Sequence, residues 1–158
     1  MTDDALSFTI ERLSFGALPV DEWAMLVRDG YHDHYTGMGE MYGGVASVED
    51  KIRQMRRWGE GILAWTARDA GRLVGLLTGD LDGDHLTVYD FFVDRGYRRR
   101  GIGRALLAAA LAEPGLREAA AEINLDNAAS RALFESEGFR LAAAVGWFTR
   151  GPEERSGR

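Results

Sequence analysis

Cysteine is absent from the chain. That excludes disulfides, thiolate metal sites and a cysteine nucleophile. A surplus of basic charge is also absent: 19 lysines and arginines stand against 25 acids, a formal net charge of −6. A general nucleic-acid binder needs a broad basic face, so no nucleic-acid partner is expected. No apolar run is long enough to span a bilayer. Met1-Thr2-Asp3-Asp4 opens the chain without an apolar signal core. These absences lead to the expectation of a cytoplasmic protein with no membrane partner. Internal repeats and linkers are lacking too, and 158 residues suit one domain. The domain is expected over residues 1–150, followed by a polar tail at 151–158.

What is present is a local concentration of positive charge. Arg95, Arg98, Arg99, Arg100 and Arg104 fall within ten residues of an otherwise acidic chain. Gly101 and Gly103 stand among them, with Ile102 between. The stretch follows an apolar run that reads as a strand, Leu86 to Val93, and opens one that reads as a helix, Ile102 to Ala112. Such a unit holds phosphate: glycines let backbone N–H groups approach an anion, the helix start adds partial positive charge, and arginines add full charge. A dinucleotide loop is excluded because Leu106 occupies the place of its third glycine. A nucleoside-triphosphate loop is excluded because no Gly-Lys-Ser/Thr follows.

The remaining pattern alternates strands and helices. Ser7 to Leu13 alternates as a first strand. Val20, Trp23, Leu26, Val27 and Tyr31 recur at helical spacing after Pro19. The glycine- and aromatic-rich segment Gly30 to Gly44 reads as the helix end and a mobile loop. Ser47-x-x-Asp50 resembles a capping box for a helix burying Val48, Ile52 and Met55 and stopping at Gly59. Strands follow at 62–68 and 73–80, with Asp82-Gly83 as a hairpin turn before the strand to Val93. That strand is apolar nearly throughout, which suits a position covered on both faces. A short strand is expected at Ala119 to Leu125. A helix follows from the cap Asn127 to Glu137 with Gly138 behind it, then one or two closing strands within 139–149.

Two signatures in this order resemble the GNAT superfamily of N-acetyltransferases. Arg98, Gly101 and Gly103 fill the fixed positions of its Arg/Gln-x-x-Gly-x-Gly/Ala motif. Asn127-x-x-Ser130-x-x-Leu133-Phe134-x-x-x-Gly138-Phe139 resembles its second signature. The resemblance implies an α/β fold, with a central mixed sheet splayed around Val93 and Leu125 and about four flanking helices. It implies acetyl-CoA as co-substrate, its pantetheine arm against Phe92 and Val93. The pyrophosphate would lie on Arg98, Arg99, Arg100, Gly101, Ile102, Gly103 and Arg104, with Asn127 and Phe134 beside the cofactor. The reaction implied is direct attack of an amine on the thioester, with backbone N–H near Val93 stabilising the developing oxyanion. The partners are then acetyl-CoA and an amine acceptor, and a homodimer is compatible with the chain. A small-molecule primary amine is the leading acceptor. Peptide or protein N-acetylation, and a CoA-binding regulatory protein without catalysis, stand as alternatives.

Two positions depart from the family pattern. Tyr89 stands where many relatives carry glutamate, leaving Tyr89 and Asp90 as the candidate catalytic residues. Asp90 lies within the apolar strand, where a carboxylate needs either a function, such as taking a proton, or a structural partner. Strict alternation puts Asp90 on the face opposite Tyr89, unless a bulge intervenes. Phe134 stands where many relatives carry a proton-donating tyrosine, so Tyr89, Tyr97 and Ser130 are the hydroxyls that could replace it. A thiol loses its proton about one to two units above neutrality, so the thiolate can also leave without an acid. His32-Asp33-His34 lacks an assured third ligand, and no metal site is expected. One of its histidines could instead lie near the acceptor amine. Tyr31, Tyr35, Met38, Met41 and Tyr42 could line an acceptor pocket or pack their loop onto the core. Asp80-x-Asp82-x-Asp84 begins like a calcium loop. It carries His85 and Phe91 where glycine and glutamate belong, and reads as a polar hairpin tip.

Overall fold

Alternating strands can bury one face on each side of a sheet if helices cover both, and the chain takes that solution. The computed structural model describes residues 7–35, 48–58 and 61–144, with backbone alone for 31–35. Five strands are formed: β1 (Phe8–Ser14), β2 (Ile62–Asp69), β3 (Arg72–Asp82), β4 (His85–Val93) and β5 (Glu118–Ala121). The helices are α1 (Val20–Tyr35), α2 (Val48–Arg56), α3 (Ile102–Leu111) and α4 (Ala128–Ser136), with single 3-10 turns at Phe15–Ala17 and Arg95–Tyr97. The sheet runs β1-β2-β3-β4-β5, antiparallel through β4 and parallel between β4 and β5.

The core divides by face. Trp23, Val27, Ile52 and Met55 from α1 and α2 pack with Ala64, Leu76 and Phe92. Ile102, Leu106 and Leu107 from α3, with Phe134 from α4, pack with Trp65, Val74, Leu77, Leu86 and Val88.

Local signals are largely obeyed. Gly83 takes φ +61° between the paired Asp82 and His85. The Asp84 carbonyl accepts the N–H groups of Arg117 and Glu118 at 2.9 and 3.2 Å, tying the hairpin tip to β5. Gly138 takes φ +90°, with its N–H to the Glu135 carbonyl and the Phe139 N–H to the Phe134 carbonyl, both at 3.1 Å. This is the Schellman ending, completed by the Phe134–Phe139 ring contact at 4.9 Å.

The helix end expected within Gly30–Gly44 falls at Tyr35. A Cβ at Gly30 would lie 2.5 Å from Cδ1 of Phe92, so this glycine lets α1 cross close over β4. The strand expected at 119–125 is only Glu118–Ala121, and Leu125 lies exposed outside it. Residues 139–144 form no strand. Residues 36–47, including Met38, Met41, Tyr42 and Ser47, lie outside the described residues. So do Gly59, residues 145–149 and the tail, and the side chains of Tyr31, His32, Asp33, His34 and Tyr35.

The β4–β5 pairing covers only His85–Val88 against Glu118–Ala121. β4 continues for five further residues without that neighbour. The sheet is therefore open between β4, from Tyr89 to Val93, and the segment that leads from Ala121 to Leu125.

Candidate functional site

The basic loop lies where β4 ends. Asp94 organises it: its N–H donates to the Val74 carbonyl at 2.8 Å, and its carboxylate accepts the Gly96 N–H at 2.8 Å and Arg72 at 2.7 Å. Tyr97 donates its hydroxyl to Asp69 at 2.8 Å. Arg72 and Arg100 lie 5.8 and 5.6 Å from its ring centre. The bond to Asp69, then loss of hydration and the Asp69 charge, push the Tyr97 phenol up; Arg72 opposes this, and Asp94 adds to it. This hydroxyl is committed to Asp69, so Tyr97 drops out as a proton donor.

Arg99 and Gly101 both adopt the left-handed conformation, φ +61° and +80°. The chain then enters α3 without a side-chain cap and without an acid in the first turn. The first helical bond is from Ala105 N–H to Gly101 carbonyl, 3.0 Å. The N–H groups of Ile102, Gly103 and Arg104 precede it and have no acceptor within the helix. Their positive end is flanked by the exposed Arg99 and Arg100, an arrangement suited to an anion. A Cβ at Gly103 would meet Phe91 Cζ at 3.3 Å and Leu133 Cδ2 at 3.4 Å, so the helix start presses against both β4 and α4. The arginines divide their work. Arg98 turns inward, Nε donating to the Val93 carbonyl at 3.2 Å, and Arg104 reaches Ser136 at 3.4 Å.

At the other end of the opening, β4 carries a bulge. Thr78 faces Asp90 and Gly79 faces Val88, which leaves Tyr89 over. The extra residue shifts the phase of the strand. Leu86 and Val88 point to the α3 face, and so do Phe91 and Val93 beyond the bulge, while Phe92 joins the α1–α2 core. Tyr89 and Asp90 thus both meet the α2 side. Tyr89 stacks on Trp58 with centroids 5.7 Å apart, and Asp90 meets Lys51 of α2 at 2.8 Å. Strict alternation would have separated Tyr89 from Asp90; the bulge joins them. Tyr89 is 46% exposed, whereas the Asp90 side chain is 1% exposed. A carboxylate closed from solvent and bound to an ammonium favours the structural role for Asp90 over proton transfer.

On the third side, the Asn127 side-chain oxygen accepts the Ser130 N–H at 3.1 Å and caps α4. Phe134 is 3% exposed, edge-on to Phe91 at 6.0 Å and to Phe139. Its ring fills the core beneath the opening and offers little surface to a ligand. Among the described residues no cluster of histidine or acids could hold a metal ion, and no helix is long and apolar enough to cross a membrane.

Lys51, Trp58, Thr78 and Gly79 were not found from sequence. One signal was available: Lys51 occupies a core-facing position of α2, between Val48 and Met55, where an amphipathic helix normally carries an apolar residue.

Residues 27–139 match the acetyltransferase (GNAT) family. Mycothiol acetyltransferase of Clavibacter michiganensis subsp. michiganensis is 36% identical over 134 residues, 82% of this chain and 42% of the relative. Ribosomal-protein-bS18-alanine N-acetyltransferase of Escherichia coli is 34% identical over 87 residues, 53% of this chain and 59% of the relative. The chain thus spans less than two thirds of the length of these relatives. Among solved structures, a PaiA N-acetyltransferase from Thermoplasma acidophilum in complex with coenzyme A superposes with a TM-score of 0.65 at 18% identity, covering 85% of this chain and 90% of the other. The Escherichia coli ribosomal-protein-S18-alanine N-acetyltransferase superposes with a TM-score of 0.64 at 23% identity, covering 85% and 78%. At these identities the likeness is one of fold.

Proposed function

The chain belongs to the acetyltransferase (GNAT) family, and from that membership we propose that it is an acetyl-CoA-dependent N-acetyltransferase acting on a primary amine of a small molecule. The observation that carries the donor half is the uncapped start of α3. It offers three N–H groups without helical acceptors, Gly103 in close contact and two exposed arginines, at the mouth of an opening in the sheet.

Bound acetyl-CoA supplies a thioester that the amine attacks directly once its ammonium proton has passed to water; the C–N bond forms as the C–S bond breaks, the thiolate leaves, and the second N–H proton also passes to water. The N–H groups of Ile102, Gly103 and Arg104 hold the pyrophosphate, with Arg99 and Arg100 adding charge. Arg98 braces the Val93 carbonyl and so fixes the loop to the strand exit. The edge of β4 from Tyr89 to Val93 lacks a β5 neighbour and offers backbone groups to the pantetheine arm, and a backbone N–H there stabilises the oxyanion. Asn127 holds α4 in place through its cap. Tyr89 is half-exposed where the strands part, and we assign it a polar contact to the bound acceptor. With Phe134 in the core, the thiolate leaves without an acid from α4, which the modest basicity of a thiolate permits.

The small-molecule reading is supported by the net charge of −6, which favours a cationic amine. It is also supported by the mycothiol acetyltransferase match over most of this chain. The ribosomal-protein acetyltransferase match keeps peptide N-termini as the second reading. The test is calorimetric binding of acetyl-CoA, then CoA release measured as free thiol over amino sugars, polyamines, amino acids and an alanine-initiated peptide. Turnover of an amine is the expected result. Turnover of the peptide alone would transfer the assignment to the second reading, and binding without release across the panel would overturn the enzyme reading.

A further inference from the structure

The buried ion pair between Lys51 and Asp90 joins two elements that have separate parts in the site. Lys51 is on α2, beside the acceptor side of the sheet; Asp90 follows the extra residue of the β4 bulge. The Lys51 ammonium lies 2.8 Å from Asp90, 3.4 Å from the Gln54 side-chain oxygen and 5.3 Å from the Trp58 ring centre. Trp58 in turn carries Tyr89. Behind them, Trp23, Phe15 and Trp58 form a continuous row of rings at 5.1 and 5.8 Å that leads from the core to the half-exposed Tyr89. Lys51 therefore touches both residues that fix Tyr89: the ring beneath it and the carboxylate next to it.

Among the described residues the bulge has further supports in Thr78 and Gly79. Thr78 accepts the Asp90 N–H on its hydroxyl at 3.2 Å. A Cβ at Gly79 would lie 2.7 Å from the Thr87 carbonyl oxygen, so only glycine lets the strands approach there. Neither support reaches α2. A buried lysine and aspartate cost desolvation that a well-packed apolar pair would avoid, so the pair is better explained by the geometry it fixes than by stability.

We propose that Lys51 is a positioning residue for the acceptor. Through Asp90 and Trp58 it locks the β4 bulge to α2, and so presents the Trp58–Tyr89 ring pair as one wall of the acceptor site at the point where the strands part. The wall suits an acceptor whose ammonium is borne close to an apolar or sugar face, which the rings can cover while attracting the charge. The inference rests on the N-acetyltransferase reading for the word acceptor; the lock itself does not.

The test compares the wild type with Lys51→Arg, Lys51→Met and the charge-free pair Lys51→Met with Asp90→Asn, which keeps the question open if Lys51→Met alone does not fold. Amide hydrogen exchange, acetyl-CoA affinity, and KM and kcat for glucosamine and for an alanine-initiated peptide are measured. In the charge-free pair, exchange at Tyr89 and Asp90 is expected to rise about tenfold or more while the α3 amides are unchanged. Acetyl-CoA affinity stays within about twofold, and acceptor KM rises about tenfold with kcat little altered. Lys51→Arg restores both readouts towards wild type. Wild-type exchange at Tyr89 and Asp90 in the charge-free pair overturns the proposal, as does a parallel fall of kcat with unchanged KM. If the wild type acetylates neither probe, exchange alone decides. Failure of the wild type to bind acetyl-CoA counts against the N-acetyltransferase reading and leaves the exchange result standing.

Discussion

Replacing Gly103 with glutamate separates size from charge at the start of α3. The first side-chain atom is nearly accommodated: its contacts at 3.3 and 3.4 Å are with the outer atoms of Phe91 and Leu133, which can yield by a few tenths of an ångström. Gly103→Ala gains up to about 1 kcal/mol of helix propensity against that strain, so its folding stability should change by no more than about 1 kcal/mol. A glutamate adds a carboxylate within about 5 Å of the N–H groups assigned to the pyrophosphate. At that range, with an effective dielectric of about 20 to 80, each pair of like charges costs about 0.8–3 kcal/mol. Two phosphate charges make this about 2–6 kcal/mol, or about one to four decades in Kd. Gly103→Gln has the same size without the charge and measures bulk alone. The assay is calorimetric titration with acetyl-CoA, after circular dichroism and a melting curve show that each variant is folded. A folded Gly103→Glu protein with wild-type affinity would refute the pyrophosphate assignment. Equal losses in the glutamine and glutamate variants would refute the electrostatic part of the reasoning.

Gly30→Ala should destabilise despite its better helix propensity, by about 1–2 kcal/mol, because its Cβ would enter the Phe92 ring; urea denaturation should show the loss shrinking when Phe92→Leu is added. Asn127→Ala should cost about 1 kcal/mol and lower Tm by about 2–4 °C through loss of the Ser130 cap. Tyr97 should ionise above the ordinary tyrosine value of 10.0. Its bond to Asp69 then stabilises the fold below pH about 10 and is lost as pH rises through the higher folded value. Ultraviolet difference titration should show a late-ionising component that disappears in Tyr97→Phe, and a spectrum unchanged by that substitution would contradict the geometry.

Much of the proposed donor site was legible because its determinants are local. The basic loop, the glycine at the left-handed position before α3, the Asn127 cap and the Gly138 ending all act within a few residues, and each forms where the sequence places it. The acceptor side was less legible. Gly30 shows no local sign of its packing role; the approach of Phe92 from a strand about sixty residues away makes it a contact point within α1. The strand expected at Ala119 to Leu125 stops at Ala121, where its pairing with β4 ends at Val88, a long-range limit with no local signal.

By itself the sequence determined the two caps and the basic glycine loop before α3, since these follow from side-chain chemistry acting along the chain. Only the tertiary structure decided which way β4 faces beyond residue 88. Period-2 alternation carries no mark of an inserted residue, and the groups that meet the bulge, Gly79, Thr78 and Lys51, come to it from β3 and α2. That one-residue shift brings Tyr89 and Asp90 to the same side, gives Asp90 a partner, and leaves Tyr89 at the head of the opening that begins with the arginine loop.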